Sequence, residues 1–589
     1  MTGRYVTRSR RQWRPGRPHR RLLGLALVTL AMMAAVVIKV GVLQTIDRPG
    51  LAARGEQQLV DTVKLTADRG VVFDRNMHEL AMSVPHTSVW ADPRLVTDKE
   101  TTASTLADVL GVDRTSLLSK LQSTSEFVWI AREVDDDEAT QIKAMRLNGL
   151  FFLPEPKRVL PAADLARGVL GQTDIDGKGI SGVEKAYNGE LTGSTGSLVR
   201  ERDGRGDSIP GGQRRFEPAR PGSDVVLTLD RNLEYSVEQM LINQVQATKA
   251  KGGMVVVMRP TTGEVLAIAN VTVPATPDGS VVAPAPVVAS ANMALVNVFE
   301  PGSVVKVITA AAALQQGVAD PLTPMWVPDS YALAADAIFS DAEKHAPESW
   351  SLSDILTKSS NVGTIMIAQR LKAAQLDHYL RAFGLGRKTA LAFPNESGGI
   401  LPSVSTWTKS SMGSIPIGQG VAVTAIQMLQ AFNVIAAGGD LVAPTLVAAT
   451  INPDGKEVAA APAERHRVVS EDTAATVNQI LQRVVAEGTG QNAQIAGYTV
   501  AGKTGTARKP QDTGTYEDKD GKFHYVSTFA GFAPAERPQI STIVVLDEPQ
   551  GSGPDEYFAG TVAAPLFAKV TTEALRQLQI PPYRATPSG

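Results

Sequence analysis

The sequence predicts a multidomain α+β protein with a single N-terminal transmembrane helix, and three observations carry that prediction. A basic head is followed by a long uncharged apolar run. A stretch rich in Gly, Pro and charge, Glu201 to Asp224, divides the remainder. Beyond it, strand-like segments stand at both ends of a helical block, the pattern of one antiparallel sheet covered by helices. At 589 residues the chain exceeds one ordinary domain. Its 43% hydrophobic and 20% charged residues describe a globular protein with ample core. A net charge of −2 gives no signal for nucleic acid.

Residues 1–21, read as a cytoplasmic basic tail, hold eight arginines and no acid. Leu22 to Ile38 carries no charge. With Lys39 snorkelling and Val40–Leu43 added, the span is 22–43, about 33 Å of helix and enough for a bilayer core. A cleavable signal peptide would have a shorter apolar region and a small-x-small site, and neither is present. The arginines place the N-terminus in the cytoplasm and everything after about residue 44 outside.

Residues 44–222 mix short alternating runs, "VVFDR" and "FVWIAREV", with short helices such as "DDDEATQIKAM". They read as an extended α+β domain ending in a linker or long hairpin. An Arg205-Gly206-Asp207 triplet inside that stretch reads as a chance match in a loop. The second domain, 223–578, opens with a strand ("DVVLTLD"), an amphipathic helix ("RNLEYSVEQMLINQV") and a strand–turn–strand ("GGMVVVMRPTTGEVLAIAN"). Helices dominate to about residue 490. Strands then return as "YTVAGKTGT", "VSTFAGFAP" and "QISTIVVLDEP", followed by a last helix and a Pro-rich tail, 579–589.

The chain has no cysteine, which removes disulfides, thiolate metal sites and a Cys nucleophile. Its seven histidines are scattered without zinc spacing. The search narrows to Ser, Thr and Lys chemistry. "EPGSVVKVITAAAALQQG", Glu300 to Gly317, reads as a buried helix opened by Pro301-Gly302 and closed by Gly317. Ser303 and Lys306, at i and i+3, share one face. Burial disfavours the charged amine, and lowering its pKa from about 10.4 towards 7 takes roughly 4–5 kcal/mol. A neutral Lys306 beside Ser303 makes a general base and a nucleophile. The bland alternative makes Ser303 a helix cap and lets Lys306 snorkel out.

Two further elements shift the balance. "TKSSNVGT" supplies Ser359 and Asn361 in the helical block, and "AGKTGTA" supplies Lys503, Thr504, Gly505 and Thr506 on a predicted strand. Ser-x-x-Lys, Ser-x-Asn and Lys-Thr-Gly in this order match the signature of penicillin-binding proteins and serine β-lactamases. Ser359 can pass a proton between Lys306 and an attacking or leaving amine. Asn361 orients Lys306 and the substrate amide. Lys503 adds fixed positive charge for a substrate carboxylate, which the Thr504 and Thr506 hydroxyls can also bind. Gly505 lets a substrate backbone approach closely. Backbone N–H groups of Ser303 and Thr506 are candidate oxyanion donors.

The chain resembles the class B penicillin-binding proteins, monofunctional peptidoglycan D,D-transpeptidases. The likeness extends to "RGVVFDRNMHELAMS" (Arg69 to Ser83), "GVEKAYNGELTG" (Gly182 to Gly193), "GQGVAVTAIQM" and "TFAGFAPAERP". No acidic pair of the glycosyltransferase type precedes the linker, unlike the bifunctional class A proteins. "VVLDEPQGSGPDEYFAGTVAAPLF" is most similar to the division-specific septal branch. Met77 stands where glycine is usual in the family, and Leu160 where tyrosine is expected.

The resemblance implies a non-catalytic, dimerisation-type pedestal, then a penicillin-binding, serine β-lactamase-like transpeptidase domain. Ser303 would attack the D-Ala-D-Ala bond of a stem peptide and release D-alanine, and an amine of a neighbouring stem peptide would resolve the acyl-enzyme. β-Lactams would acylate Ser303, with no metal or organic cofactor. Implied partners are a membrane glycosyltransferase that polymerises lipid II and other division proteins, at the bacterial plasma membrane. Competing readings are an elongation-type transpeptidase, a D,D-carboxypeptidase or β-lactamase, and a non-enzymatic β-lactam sensor or division scaffold. A sensor needs a cytoplasmic signalling domain, for which 21 residues leave no room. A degenerate scaffold should have lost Ser303, Lys306 or Lys503.

Overall fold

The computed structural model describes residues 18–45, 60–201, 214–275, 284–334, 337–550 and 556–582. Most of the basic tail, the Arg205-Gly206-Asp207 triplet and the end of the Pro-rich tail lie outside them. The chain forms two units, one from residues up to Thr66 with Thr195–Ala219, the other from Ala67–Ser194 and Arg220 onward.

The first unit contains the helix Pro18–Thr45, 28 residues long, about 42 Å. Its leucines, its methionines and all its valines but Val42 are exposed, the opposite of a core helix. Among the described residues it is the helix long and apolar enough to cross a membrane. The unit also holds a three-stranded antiparallel sheet in which Gly196–Glu201 lies between Val60–Leu65 and Arg214–Glu217. The described strands on either side of residues 202–213 are therefore antiparallel neighbours.

In the second unit, the long strand Glu79–Ala91 pairs with Val128–Val134 and Leu150–Val159. Helices Lys99–Leu110, Arg114–Leu121 and Asp136–Ala144 close a small core of Val89, Leu106, Leu117, Ile130 and Ile142 over it. Val72–Phe73 pairs with Glu79–Ala91 and, in parallel, with Asp224–Leu227, which in turn pairs with Val447–Ile451. One sheet thus crosses the position where the sequence reading divides pedestal from catalytic domain.

The "RGVVFDRN" segment is the clamp. Gly70 is obligatory, since a Cβ there would lie 2.0 Å from the Ser223 carbonyl oxygen. Arg69 and Arg158 both pair with the buried Glu184, at 2.6 and 2.7 Å. Asp74 accepts from the Arg231 amide at 3.1 Å, and Asn76 Nδ2 donates to Asp230 at 2.9 Å. Both bonds meet the start of helix α1, Arg231–Thr248, where Asp230 is the N-cap. A negative side chain is favoured at that end. Met77 adopts φ +65°, so the turn keeps the left-handed geometry that glycine would adopt with less strain. Asp74 holds it by accepting from the amides of Asn76 and His78, both at 2.8 Å.

The catalytic sheet has six antiparallel strands: β1 Gly252–Met258, β2 Val265–Thr272, β3 Val287–Val288, β4 Ala501–Arg508, β5 Tyr525–Ala533 and β6 Ile540–Asp547. Their spatial order is β3-β2-β1-β6-β5-β4. Side chains alternate across such a strand. Val255 and Val257 pack on one face with α1 and the terminal helix Ala564–Gln577 through Leu233, Val237, Phe567 and Val570. Met254 and Val256 pack on the other with the helical block. That block contains α2 Lys306–Gln315, α3 Asn361–Ala368, α4 Ala425–Ala436 and α5 Glu471–Glu487. It is less purely helical than expected. Short strands interrupt it at 325–350 and 440–467, too short and too exposed to leave a hydrophobic period in the sequence.

Candidate active site

Ser303 lies in a 3-10 turn, Gly302–Val305, that runs directly into α2. Three residues per turn eclipse i and i+3, which puts Ser303 and Lys306 in line. Gly302 takes φ +56° and Gly317 φ +65°, so both glycines mark the ends as expected. The turn is clamped by the Gly302 amide donating to the Gly418 carbonyl at 3.0 Å. The bland alternative fails on both counts. Lys306 is 0% exposed, and Ser303 makes no capping bond. Ser303 is half-buried, and among the described residues its hydroxyl has no hydrogen-bond partner.

Lys306 Nζ donates to the Ser359 carbonyl at 2.6 Å and to Asn361 Oδ1 at 2.7 Å. Burial, then the nearby Lys503 charge, pull its pKa well below the ordinary lysine value, against an opposing pull from Asp341. Ser359 has φ +60°, a conformation costing a non-glycine residue roughly 1–2 kcal/mol. It turns two atoms of one residue to two lysines, the carbonyl to Lys306 and the hydroxyl to Lys503 Nζ at 2.8 Å. Asn361 begins α3, whose N-cap Ser360 accepts from the Gly363 amide. Its Nδ2 donates to the Ser340 carbonyl at 3.0 Å, so the side chain is held at both ends.

β4 is the edge strand, leaving alternate backbone groups free of sheet pairing. Lys503, on this strand, departs from the expectation of a fixed charge. It is 0% exposed, and burial draws its pKa to about 7. A Cβ on Gly505 would lie 2.7 Å from the Pro301 carbonyl oxygen and 3.2 Å from the Val304 nitrogen. The missing side chain makes room for the turn that carries Ser303. The Thr504 hydroxyl meets that of Thr489 at 2.6 Å. Thr506 Oγ1 accepts from the Ala559 amide at 3.0 Å, leaving its own hydrogen to donate.

Sequence reasoning missed three supports. Asp341 receives the Ser360 hydroxyl and the Asn361 and Val362 amides. Glu300 accepts from the Gly420 amide at 2.9 Å and from the Tyr516 hydroxyl at 2.9–3.0 Å. Thr489 holds Thr504. Only the position of Glu300, beside Pro301-Gly302, offered a sequence signal. A cavity of about 1580 Å³ lies beside the site, lined among others by Phe299, Glu300, Gly420 and Arg508. None of Ser303, Lys306, Ser359, Asn361 or Lys503 lines it.

A serine, two buried lysines and a bridging Ser-x-Asn turn at a sheet edge define a serine acyl-transfer domain of the penicillin-binding class. Residues 253–572 match the family described as "Penicillin binding protein transpeptidase domain", and residues 64–227 match "Penicillin-binding Protein dimerisation domain". The chain belongs to the class B penicillin-binding proteins. It is 33% identical to penicillin-binding protein PbpB of Mycolicibacterium smegmatis, over 94% of this chain and 90% of that one. It is 30% identical to peptidoglycan D,D-transpeptidase FtsI of Escherichia coli, over 96% and 92%. The crystal structure of penicillin binding protein 3 from Mycobacterium tuberculosis, complexed with aztreonam, aligns at TM-score 0.66 and 28% identity, covering 89% of this chain and 98% of that one.

Proposed function

We propose that this protein is a peptidoglycan D,D-transpeptidase that cross-links stem peptides through an acyl-enzyme on Ser303. The observation that carries the reading is the meeting of two buried amines on Ser359, beside a half-buried serine with an unengaged hydroxyl. A neutral amine has two N–H bonds and one lone pair. Lys306 gives both N–H bonds, to Ser359 and Asn361, so its lone pair is left for the Ser303 proton. Ser303 Oγ attacks the carbonyl carbon of the D-Ala-D-Ala bond as that proton moves to Lys306 Nζ. The backbone N–H groups of Ser303 and Thr506 receive the oxyanion.

The proton then passes through the Ser359 hydroxyl to the leaving nitrogen, the C–N bond breaks, and D-alanine departs. An amine of a second stem peptide attacks the ester and returns its proton by the same route to Ser303 Oγ. Lys503, with Thr504 and Thr506, receives the substrate carboxylate. A bound carboxylate would raise the Lys503 pKa and restore its charge. β-Lactams enter the same first step and stay on Ser303.

We place 44–222 as the dimerisation-type pedestal and 223–578 as the transpeptidase domain, with 579–589 as a tail. Eight arginines before the apolar span 22–43 support a cytoplasmic N-terminus and an extracytoplasmic catalytic domain. The "VVLDEPQGSGPDEYFAGTVAAPLF" segment supports a septal role, with a lipid II-polymerising glycosyltransferase and division proteins as partners. Filamentous or chained cells on depletion accord with it, and rounded, widened cells contradict it. The enzymatic reading is tested by labelling the full-length protein with a fluorescent penicillin. Intact protein is labelled and Ser303→Ala is not. Equal labelling of both, or none of either, overturns the assignment.

A further inference from the structure

Behind the Ser359–Asn361 turn sits a layer of charge outside the three motifs. Asp341, just after the short strand Ala337–Ser340, is 7% exposed at its side chain. Its Oδ1 accepts from the amides of Asn361 at 2.5 Å and Val362 at 2.9 Å, and its Oδ2 from the Ser360 hydroxyl at 2.7 Å. Oδ2 also faces His345 Nε2 at 3.1 Å. The carboxylate therefore holds the first two amides of α3 and its N-cap hydroxyl, next to the two atoms that face Lys306.

His345 has an acceptor on each side. Nδ1 lies 2.7 Å from the Ala346 carbonyl oxygen, and Nε2 meets Asp341. The Ala346 carbonyl and an ionised Asp341 both accept, so only the imidazolium, with hydrogen on both ring nitrogens, satisfies the two contacts at once. The Trp350 ring packs beside it, tilted by 36°, at 4.5 Å between centroids, and the His345 amide donates to Asp329 at 3.2 Å. Beyond Trp350, Glu348 accepts from the indole at 2.8 Å and Lys358 lies 5.2 Å over the ring. Burial lowers the imidazole's pKa. The Ala346 carbonyl, Asp341 and Asp329 outweigh it, leaving the value raised above 6.5.

We propose that the His345 imidazolium is a positioning residue for acyl transfer, holding Asp341 and thereby the Ser359–Asn361 turn against Lys306. The inference rests on the function proposed above. Losing the ring proton forfeits either the Ala346 or the Asp341 bond and loosens that turn. For a histidine raised in the folded state, the ordering is complete below 6.5 and lost as pH rises through the raised value.

Two measurements on the full-length protein test this. In histidine NMR spectra, the resonance absent from His345→Gln is that of His345, and its titration midpoint should lie above 6.5. Acylation rates with a fluorescent penicillin are then taken between about pH 6 and 9 for the parent and for His345→Gln, whose amide can donate to Asp341 at any pH. The ratio of the two cancels the titrations of Lys306 and Lys503. It should fall by about three- to tenfold with rising pH, centred on the NMR midpoint. A ratio independent of pH, or a midpoint at or below 6.5, overturns the proposal. A parent protein that is never acylated overturns the proposed function instead, and the NMR midpoint still judges His345.

Discussion

Replacing Lys503 by methionine keeps the length and apolar stem of the side chain and removes its amine. The deleted group is fully buried, and burial draws its pKa from 10.5 to about 7. A group that holds its proton more weakly in the folded chain makes stability rise with pH between the two values. At pH 7 the unfolded chain keeps this proton while the folded chain has given up about half of it. By pH 9 the folded chain has lost nearly all of it. Integrating between these limits, Lys503 alone contributes a rise of about 2 kcal/mol from pH 7 to pH 9.

The assay is urea unfolding of the full-length protein in detergent across that range. The parent should gain stability with pH, and Lys503→Met should gain about 2 kcal/mol less. Equal slopes would refute the claim that burial holds Lys503 near neutrality. The same variant loses the bond to the Ser359 hydroxyl. A charge-assisted bond of about 1.5–3 kcal/mol predicts acylation roughly ten- to a hundredfold slower.

Two further changes probe the same site. Lys306→Arg installs a permanent cation that cannot accept the Ser303 proton. Penicillin acylation at neutral pH should fall by about a hundredfold or more, and parental rates would end the general-base role. Gly505→Ala places a methyl group 2.7 Å from the Pro301 carbonyl oxygen, pushing on the turn that carries Ser303. Overpacking of this kind costs about 1–3 kcal/mol. Acylation should slow by about tenfold or more, and unchanged kinetics would show that the turn yields without moving the serine.

Lys306 was legible in the sequence only in company: alone in its alanine- and valine-rich helix a snorkelling side chain explains it, and the Ser-x-Asn and Lys-Thr-Gly segments turn the balance. The antiparallel sheet was legible because β1, β2, β5 and β6 are long runs of Val, Ile, Ala and Phe bounded by turn residues. What escaped notice depends on contacts between distant segments. Asp341 lies in a short connection among exposed strands, where no periodicity marks it, and its importance comes from α3 starting against it. Lys503 looked like a fixed charge because a strand pattern does not say what covers the strand. Here the covering is Ser359 and the serine turn, and that covering sets the charge. For Gly505, the sequence showed that space was required but not which neighbour filled it.

The sheet order also has a consequence for how the chain is made. β1 and β2 precede the serine turn, yet β1 pairs with β6, the last strand among the described residues, and β4 brings Lys503 to Ser359 only late in the sequence. A chain emerging from its N-terminus therefore presents Ser303 well before the strands that complete its surroundings. Until β6 arrives, β1 has an open edge lined by Val255, Val256 and Val257, the kind of surface on which partly made chains aggregate. The loop closed by that pairing is long, which makes it a slow step. In the proposed chemistry, covalent capture of a β-lactam would thus report more than an intact serine: it would mark the moment at which the last strands have docked and the site is complete.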